Sequence, residues 1–162
     1  MSIRAVRGDI TRERVDAIVN AANNSLARGA GVCGAIFAAA GPGLDRACAA
    51  IGRCATGDAV ITDGFALPAR WIVHTVGPVW GGGARGEPDL LRSCYRRSLE
   101  VARGAGAASI AFPAISTGVF GYPPDAAAQI AVESARAHGS DMQVRLVAFD
   151  AETLGRYESL LS

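Results

Sequence analysis

The chain has 162 residues, half of them hydrophobic and 19% charged, with a formal net charge of +1. That length and composition predict one globular domain with a real core and exclude a disordered chain. The absence of a basic run argues against a nucleic-acid binder, and no apolar run reaches ~18 residues, so no membrane span is expected.

The opening "MSIRAVRGDI" carries Arg4, Arg7 and Asp9 and has no apolar segment, so no signal peptide is read there. A first strand is predicted over 3–7, and "RGDIT" puts Asp9 just beyond it. That carboxylate suits two tasks, accepting a hydrogen bond from an exocyclic amine such as adenine's or capping a turn. The run "DAIVN" (16–20) reads as a buried central strand. It hands over through "NAANNSLARGAG" to a helix predicted from Val32 to Ala40. Helix amides at such a handover point outward and can hold an anion. Asn20, at the strand end, reads as a turn cap bonding the backbone. Asn23, further into the loop, reads as a ligand contact.

A helix over 43–51 and strands over 58–62 and 71–76 come next, then "VWGGGARGEPD", read as an exposed loop. From Asp89 to Arg103, Leu90, Leu91, Cys94, Leu99 and Val101 can line one side of a helix. The strand "SIAFPA" (109–114) runs into "STGVFG", Ser116 to Gly121. There Gly118 and Gly121 are expected to take positive φ, so that consecutive amides form an anion nest. The plainer alternative is a tight strand–helix turn. A helix from Pro124 to His138, a strand over 143–149 and a helix from Ala151 to Leu161, capped by Asp150, complete the chain. Strands alternating with helices predict α/β layers around a mostly parallel or mixed sheet, with ligands outside the carboxyl ends of the strands. Cys33, Cys48, Cys54 and Cys94 form no C-x-x-C pair and no zinc spacing. They read as small core residues of a reduced, cytoplasmic protein without a metal.

In chain order, "GDIT", "VDAIVNAANNSL", "GAGVCGAIFAAAG", "HTVGPVW" and "FPAISTGVFGYP" resemble the macrodomain family, and most of all its MacroD-type branch with the bacterial O-acetyl-ADP-ribose deacetylases. The closing "VAFDAETLGRYESLL" resembles the family's last strand and helix. The resemblance implies a single macrodomain over 1–162, a three-layer α/β/α fold with a central mixed sheet, binding ADP-ribose in a surface cleft. It implies that Asp9 and Ile10 hold adenine and that Phe149 packs on it. Gly31 and Val32 on one side, and Ser116, Thr117, Gly118, Val119, Phe120, Gly121 and Tyr122 on the other, match the segments that enclose the diphosphate. Phe120 matches an aromatic against the distal ribose, and Asn23 an asparagine that contacts this ribose and supports catalysis. His74 reads as a structural core histidine.

The activity implied is removal of mono-ADP-ribose from acidic side chains, or deacetylation of O-acetyl-ADP-ribose, by a water held between diphosphate and distal ribose. No cofactor is called for. The expected partners of this monomer are ADP-ribose, ADP-ribosylated proteins and O-acetyl-ADP-ribose. The alternative is a reader module that binds ADP-ribose without turnover.

One departure stands out. The MacroD pattern "G-G-G-V-D-G" places an aspartate where "GAGVCG" has Cys33. Three readings of Cys33 stay open. It is a small residue at the helix start, with water activated by the substrate's own phosphate. Or it is a thiol acidified by the helix N-terminus, acting as base or nucleophile. Or hydrolysis has been lost and the protein is a reader.

Overall fold

The computed structural model describes residues 2–162. Six strands form one sheet: β1 (Ser2–Arg7), β2 (Ala17–Ala21), β3 (Ala59–Asp63), β4 (Trp71–Thr75), β5 (Ser109–Phe112) and β6 (Gln143–Ala148). Their order is β1-β6-β5-β2-β4-β3. Every neighbouring pair is parallel except β3 with β4. The sheet is thus mixed, with its antiparallel strand at one edge. β5 stops at Phe112, short of the predicted 114, where Pro113 has no N–H to give a ladder.

Five helices cover the two faces, α1 (Gly31–Ala40), α2 (Pro42–Ile51), α3 (Glu87–Ala105), α4 (Pro124–His138) and α5 (Ala151–Leu161). Alternation along the central strands sorts them. Ala17, Val19 and Val73 point into a core shared with Leu91, Leu99, Ile130, Ala131 and Tyr157 of α3, α4 and α5. Ile18 and Ile72 point the other way, toward Ile36, Phe37, Leu44 and Cys48 of α1 and α2. A sheet buried on both faces needs near-continuous apolar strands, which "AIV" and "IV" supply. By the same parity Asn20 and His74 face α1 and α2, and they stand opposite each other in the β2–β4 register. All four cysteines are free and buried. Burial pushes the Cys48 and Cys94 thiols up to about 11, as befits small core residues. Among the described residues no helix is long and apolar enough to cross a membrane.

Candidate functional site

A cavity of about 380 Å³ opens where β2, β4 and β5 end. Asn23, Gly31, Val32 and Cys33 line one side, and Ser116, Gly118, Val119 and Phe120 the other. Gly77, at the exit of β4, forms part of the floor; a Cβ on it would stand 2.2 Å from the Ser116 Oγ and 2.7 Å from Ile115. "HTVGP" therefore contributes its glycine to the cleft, which the sequence reading passed over in favour of the histidine.

The first side is the start of α1. Its N-cap, Ala30, offers no side-chain acceptor. Among the described residues nothing accepts from the N–H groups of Gly31, Val32 and Cys33, so the positive end of the helix stands open to the cleft. The second side is the turn after β5. Gly121 N–H donates to the Gly118 carbonyl (3.0 Å) and Tyr122 N–H to that of Ser116 (2.8 Å). The N–H groups of Gly118, Val119 and Phe120 have no acceptor among the described residues. Positive φ falls on Ser116 (67°) and Gly121 (73°), not on Gly118 as expected. The Ser116 hydroxyl is buried without a partner. Among the described residues no arginine, aspartate or glutamate lines the cavity. Any anion there would be held by main-chain amides and a helix end.

The remaining expected residues fall into two groups. Asp9, Ile10 and Phe149 lie together at the neighbouring strand ends, since β1 and β6 pair through Arg7 and Ala148 and Gly8 N–H donates to the Ala148 carbonyl. Phe149 is 90% exposed and Ile10 is buried. Asp9 Oδ1 caps a 3-10 turn, accepting from the Thr11 hydroxyl (2.7 Å) and amide (2.9 Å). Those bonds hold its carboxyl below the usual carboxylate range, while Oδ2 is left with only Arg12 at 4.0 Å. Both tasks weighed for Asp9 are compatible, one per oxygen.

The second group is turned away from the cleft. Tyr122 is a correction: it is 2% exposed, packed at a tilt of 58° against Trp80 (ring centroids 4.7 Å apart), and belongs to the core beneath the turn. Thr117 lines a separate small pocket with Asp150 and Tyr157. Gly121 closes the turn without lining the cavity.

Asn20 also departs from expectation. It caps no turn but is fully buried on β2. Its Nδ2 lies 3.0 Å from His74 Nδ1 and 3.7 Å from the Cys33 Sγ. His74 Nε2 lies 2.9 Å from the Thr62 hydroxyl, which donates to the Asp63 carbonyl. These partners form one directed chain. The Nε2–H of His74 donates to Thr62, and Nδ1 accepts from Asn20. The second amide hydrogen of Asn20 points at Cys33, whose S–H donates to the Ala27 carbonyl at 3.8 Å. Burial lowers His74 to about 4, so the ring stays neutral. The chain ends in the loop that edges the cleft. That loop is organised by Asn23, which accepts from Ala27 N–H (3.0 Å) and Ser25 (2.9 Å) and donates to the Ala27 carbonyl (2.9 Å).

A three-layer α/β/α domain with its cleft between a bare helix start and a turn of free amides is the class that the fold and site define. Residues 19–131 match the macro domain family model. An O-acetyl-ADP-ribose deacetylase of Escherichia coli is 51% identical over 168 residues, covering 99% of this chain and 95% of that one. Among solved structures, an Oceanobacillus iheyensis macrodomain with ADP superposes with a TM-score of 0.92 at 43% identity, over 97% of this chain and 88% of that one. A Trypanosoma brucei macrodomain in complex with ADP-ribose gives 0.90 at 41% identity, over 99% of this chain and 69% of that one. The chain belongs to the macro domain family.

Proposed function

We propose that the protein binds ADP-ribose and hydrolyses an acyl ester on its distal ribose, as in O-acetyl-ADP-ribose or mono-ADP-ribosylated acidic side chains. The observation that carries this reading is the pair of amide rows facing each other across the cavity. One is the uncapped start of α1, the other the turn 118–120, and no side-chain cation lies between them. Such a site fits a diphosphate. Asp9 and Phe149 stand one strand-end away, where a carboxylate oxygen and an exposed ring suit a purine. Family membership, the name of the E. coli relative, and the ADP and ADP-ribose bound in the two solved structures support the same ligand.

In this reading the cleft contributes position and fixed dipoles. The diphosphate sits between the amide rows, and Phe120 and Asn23 border the distal ribose. A water between the two attacks the ester carbonyl and passes its proton to a phosphate oxygen. The phosphate returns that proton to the ribose oxygen as the tetrahedral intermediate collapses, giving the free ribose hydroxyl and a carboxylic acid that then ionises. Apart from Cys33, no titratable side chain lines the cavity, which supports substrate-assisted proton transfer. Cys33 is read as a small residue that packs at the helix start, its Sγ placed 3.8 Å from the Ala27 carbonyl and 3.7 Å from the Asn20 amide.

The same scarcity of bases favours a second reading, a binding module without turnover. Pure protein is incubated with O-acetyl-ADP-ribose and with Glu-linked mono-ADP-ribosylated protein. Release of ADP-ribose supports the hydrolase. Saturable binding without release from either substrate supports the reader, and no saturation at millimolar ADP-ribose defeats both.

A further inference from the structure

We propose that Glu87, at the start of α3, is a positioning residue for the diphosphate turn 116–122, acting through Trp80; this rests on the reading that the turn holds the diphosphate of ADP-ribose. Glu87 is buried, yet among the described residues it forms no ion pair within 4.0 Å. Its partners are main-chain amides of the loop "GGGARG". Oε2 accepts from Gly81 N–H (2.8 Å) and Gly83 N–H (3.0 Å), and Oε1 from Arg85 N–H (2.7 Å). An anion nest is thus present in this loop, filled by the chain's own carboxylate. The bonds draw the glycine loop into a closed ring over the helix start.

That ring presses on Trp80. Gly83 has φ +90°, and a Cβ there would stand 2.8 Å from the Trp80 ring, so loop and indole are in close contact. The indole also packs against Tyr122, with ring centroids 4.7 Å apart and the planes tilted by 58°. The Trp80 backbone N–H donates to the Phe120 carbonyl at 2.8 Å. Tyr122 N–H in turn donates to Ser116. The path from carboxylate to cleft is therefore continuous, from Glu87 through the 81–85 amides, Gly83 and Trp80 to Phe120 and Tyr122. Fixing the Phe120 carbonyl orients the peptide planes that present the free amides of the turn. Glu87 does not line the cavity. Its effect is on geometry, where displacements on the order of 1 Å are costly.

The test uses Glu87→Gln. A Gln oxygen can keep two of the bonds, but its NH₂ opposes the remaining amide. ADP-ribose affinity is measured by calorimetry for wild type, Glu87→Gln and Asp141→Asn. The last cuts the Arg103–Asp141 pair at the opposite end of the sheet and controls for general destabilisation. The expected result is an affinity about tenfold weaker in Glu87→Gln and unchanged in Asp141→Asn. In a Trp71→Phe background, which leaves Trp80 as the sole tryptophan, Glu87→Gln should also shift emission to longer wavelength with the fold intact by circular dichroism. If Glu87→Gln does not fold, Trp80→Leu decides, because it removes the same brace from the other side and should weaken binding similarly. Affinity within twofold of wild type in the folded variant overturns the inference, whether or not the emission moves. A wild type that does not bind ADP-ribose overturns the ligand reading, and this inference with it.

Discussion

The loop from Ala22 to Ala30 is shaped by its polar side chains, whereas the turn from Ser116 to Tyr122 is shaped by its own main-chain bonds and by packing. In the first, Asn23 makes three hydrogen bonds to Ser25 and Ala27, and the buried chain from His74 through Asn20 ends on Cys33 and Ala27. In the second, no side chain of the turn bonds its backbone. Trp80 and Tyr122 support it from below, and the amides of 118–120 are left free. Polar side chains in a loop thus have two possible destinations. Where they organise the loop they are occupied before a ligand arrives. Where support comes from packing, the backbone itself is available to the ligand.

The strongest way to break this comparison is to fill the second turn. A Cβ on Gly118 would meet nothing within 4 Å, and its φ is ordinary, so a side chain there projects into open space without strain. Gly118→Glu should fold with an unchanged melting temperature while its carboxylate occupies the place of a phosphate. ADP-ribose binding should weaken more than ~100-fold, over ~2.7 kcal/mol. Normal calorimetric binding by the folded variant would mean that the turn is only a connection.

The first loop should fail differently, through acid. Folded His74 stays neutral down to about pH 4, while in the unfolded chain it takes up a proton near its ordinary 6.5. Between those values the unfolded state binds more protons. His74's contribution is therefore fully present above pH 6.5 and is lost as pH falls toward 4, by roughly 3 kcal/mol. Protonated Nδ1 could no longer accept from Asn20, so the support of the first loop is what gives way. Urea unfolding at pH 7 and pH 4.5 should show this loss in wild type and a flatter response in His74→Gln. Equal slopes for the two proteins would remove His74 from the account.

Legibility in the sequence followed the same division. The strands were readable because a sheet covered on both faces demands apolar runs, and the two glycine-rich handovers marked the cleft. Asn20 reads as a turn cap because it is the last residue of the predicted strand 16–20. The strand runs on to Ala21, and the alternation that buries Ile18 buries Asn20 as well, a signal that was present in "AIVNA". Tyr122 follows the turn directly in sequence, and only its packing against the partly buried Trp80 assigns it to the core. Glu87 gave no sequence signal, since its partners are main-chain amides whose direction depends on the backbone angles of a glycine loop.

A smaller effect is expected at Asn23. Asn23→Ala removes the three bonds that shape the first loop, at a cost of about 1–2 kcal/mol in an exposed setting. If the loop's shape is what the ribose needs, ester hydrolysis should fall roughly 30-fold, with faster hydrogen exchange at Ala27. Lost hydrolysis with unaltered exchange would instead give Asn23 a direct contact with the reacting ribose as its sole task.

Cys33 should matter least, and it tests whether the two sides of the cleft share the chemistry. Its thiol links Asn20 to the Ala27 carbonyl across long contacts of 3.7 and 3.8 Å, and sulfur is a weak partner at both ends. If the substrate's phosphate takes the water's proton, Cys33 need only be small and fill its place at the start of α1. Cys33→Ala should then keep hydrolysis within about tenfold of wild type, ~1.4 kcal/mol in the barrier. Asn23→Ala should lose more than Cys33→Ala, since it dismantles the loop that the thiol only touches. A thiolate base or nucleophile demands the opposite order, with Cys33→Ala slower by at least ~100-fold at unchanged ADP-ribose affinity. Single-turnover release of ADP-ribose from a Glu-modified substrate by the three proteins separates the two cases. Alkylation would not, because an adduct on Cys33 fills the cavity whatever the thiol does.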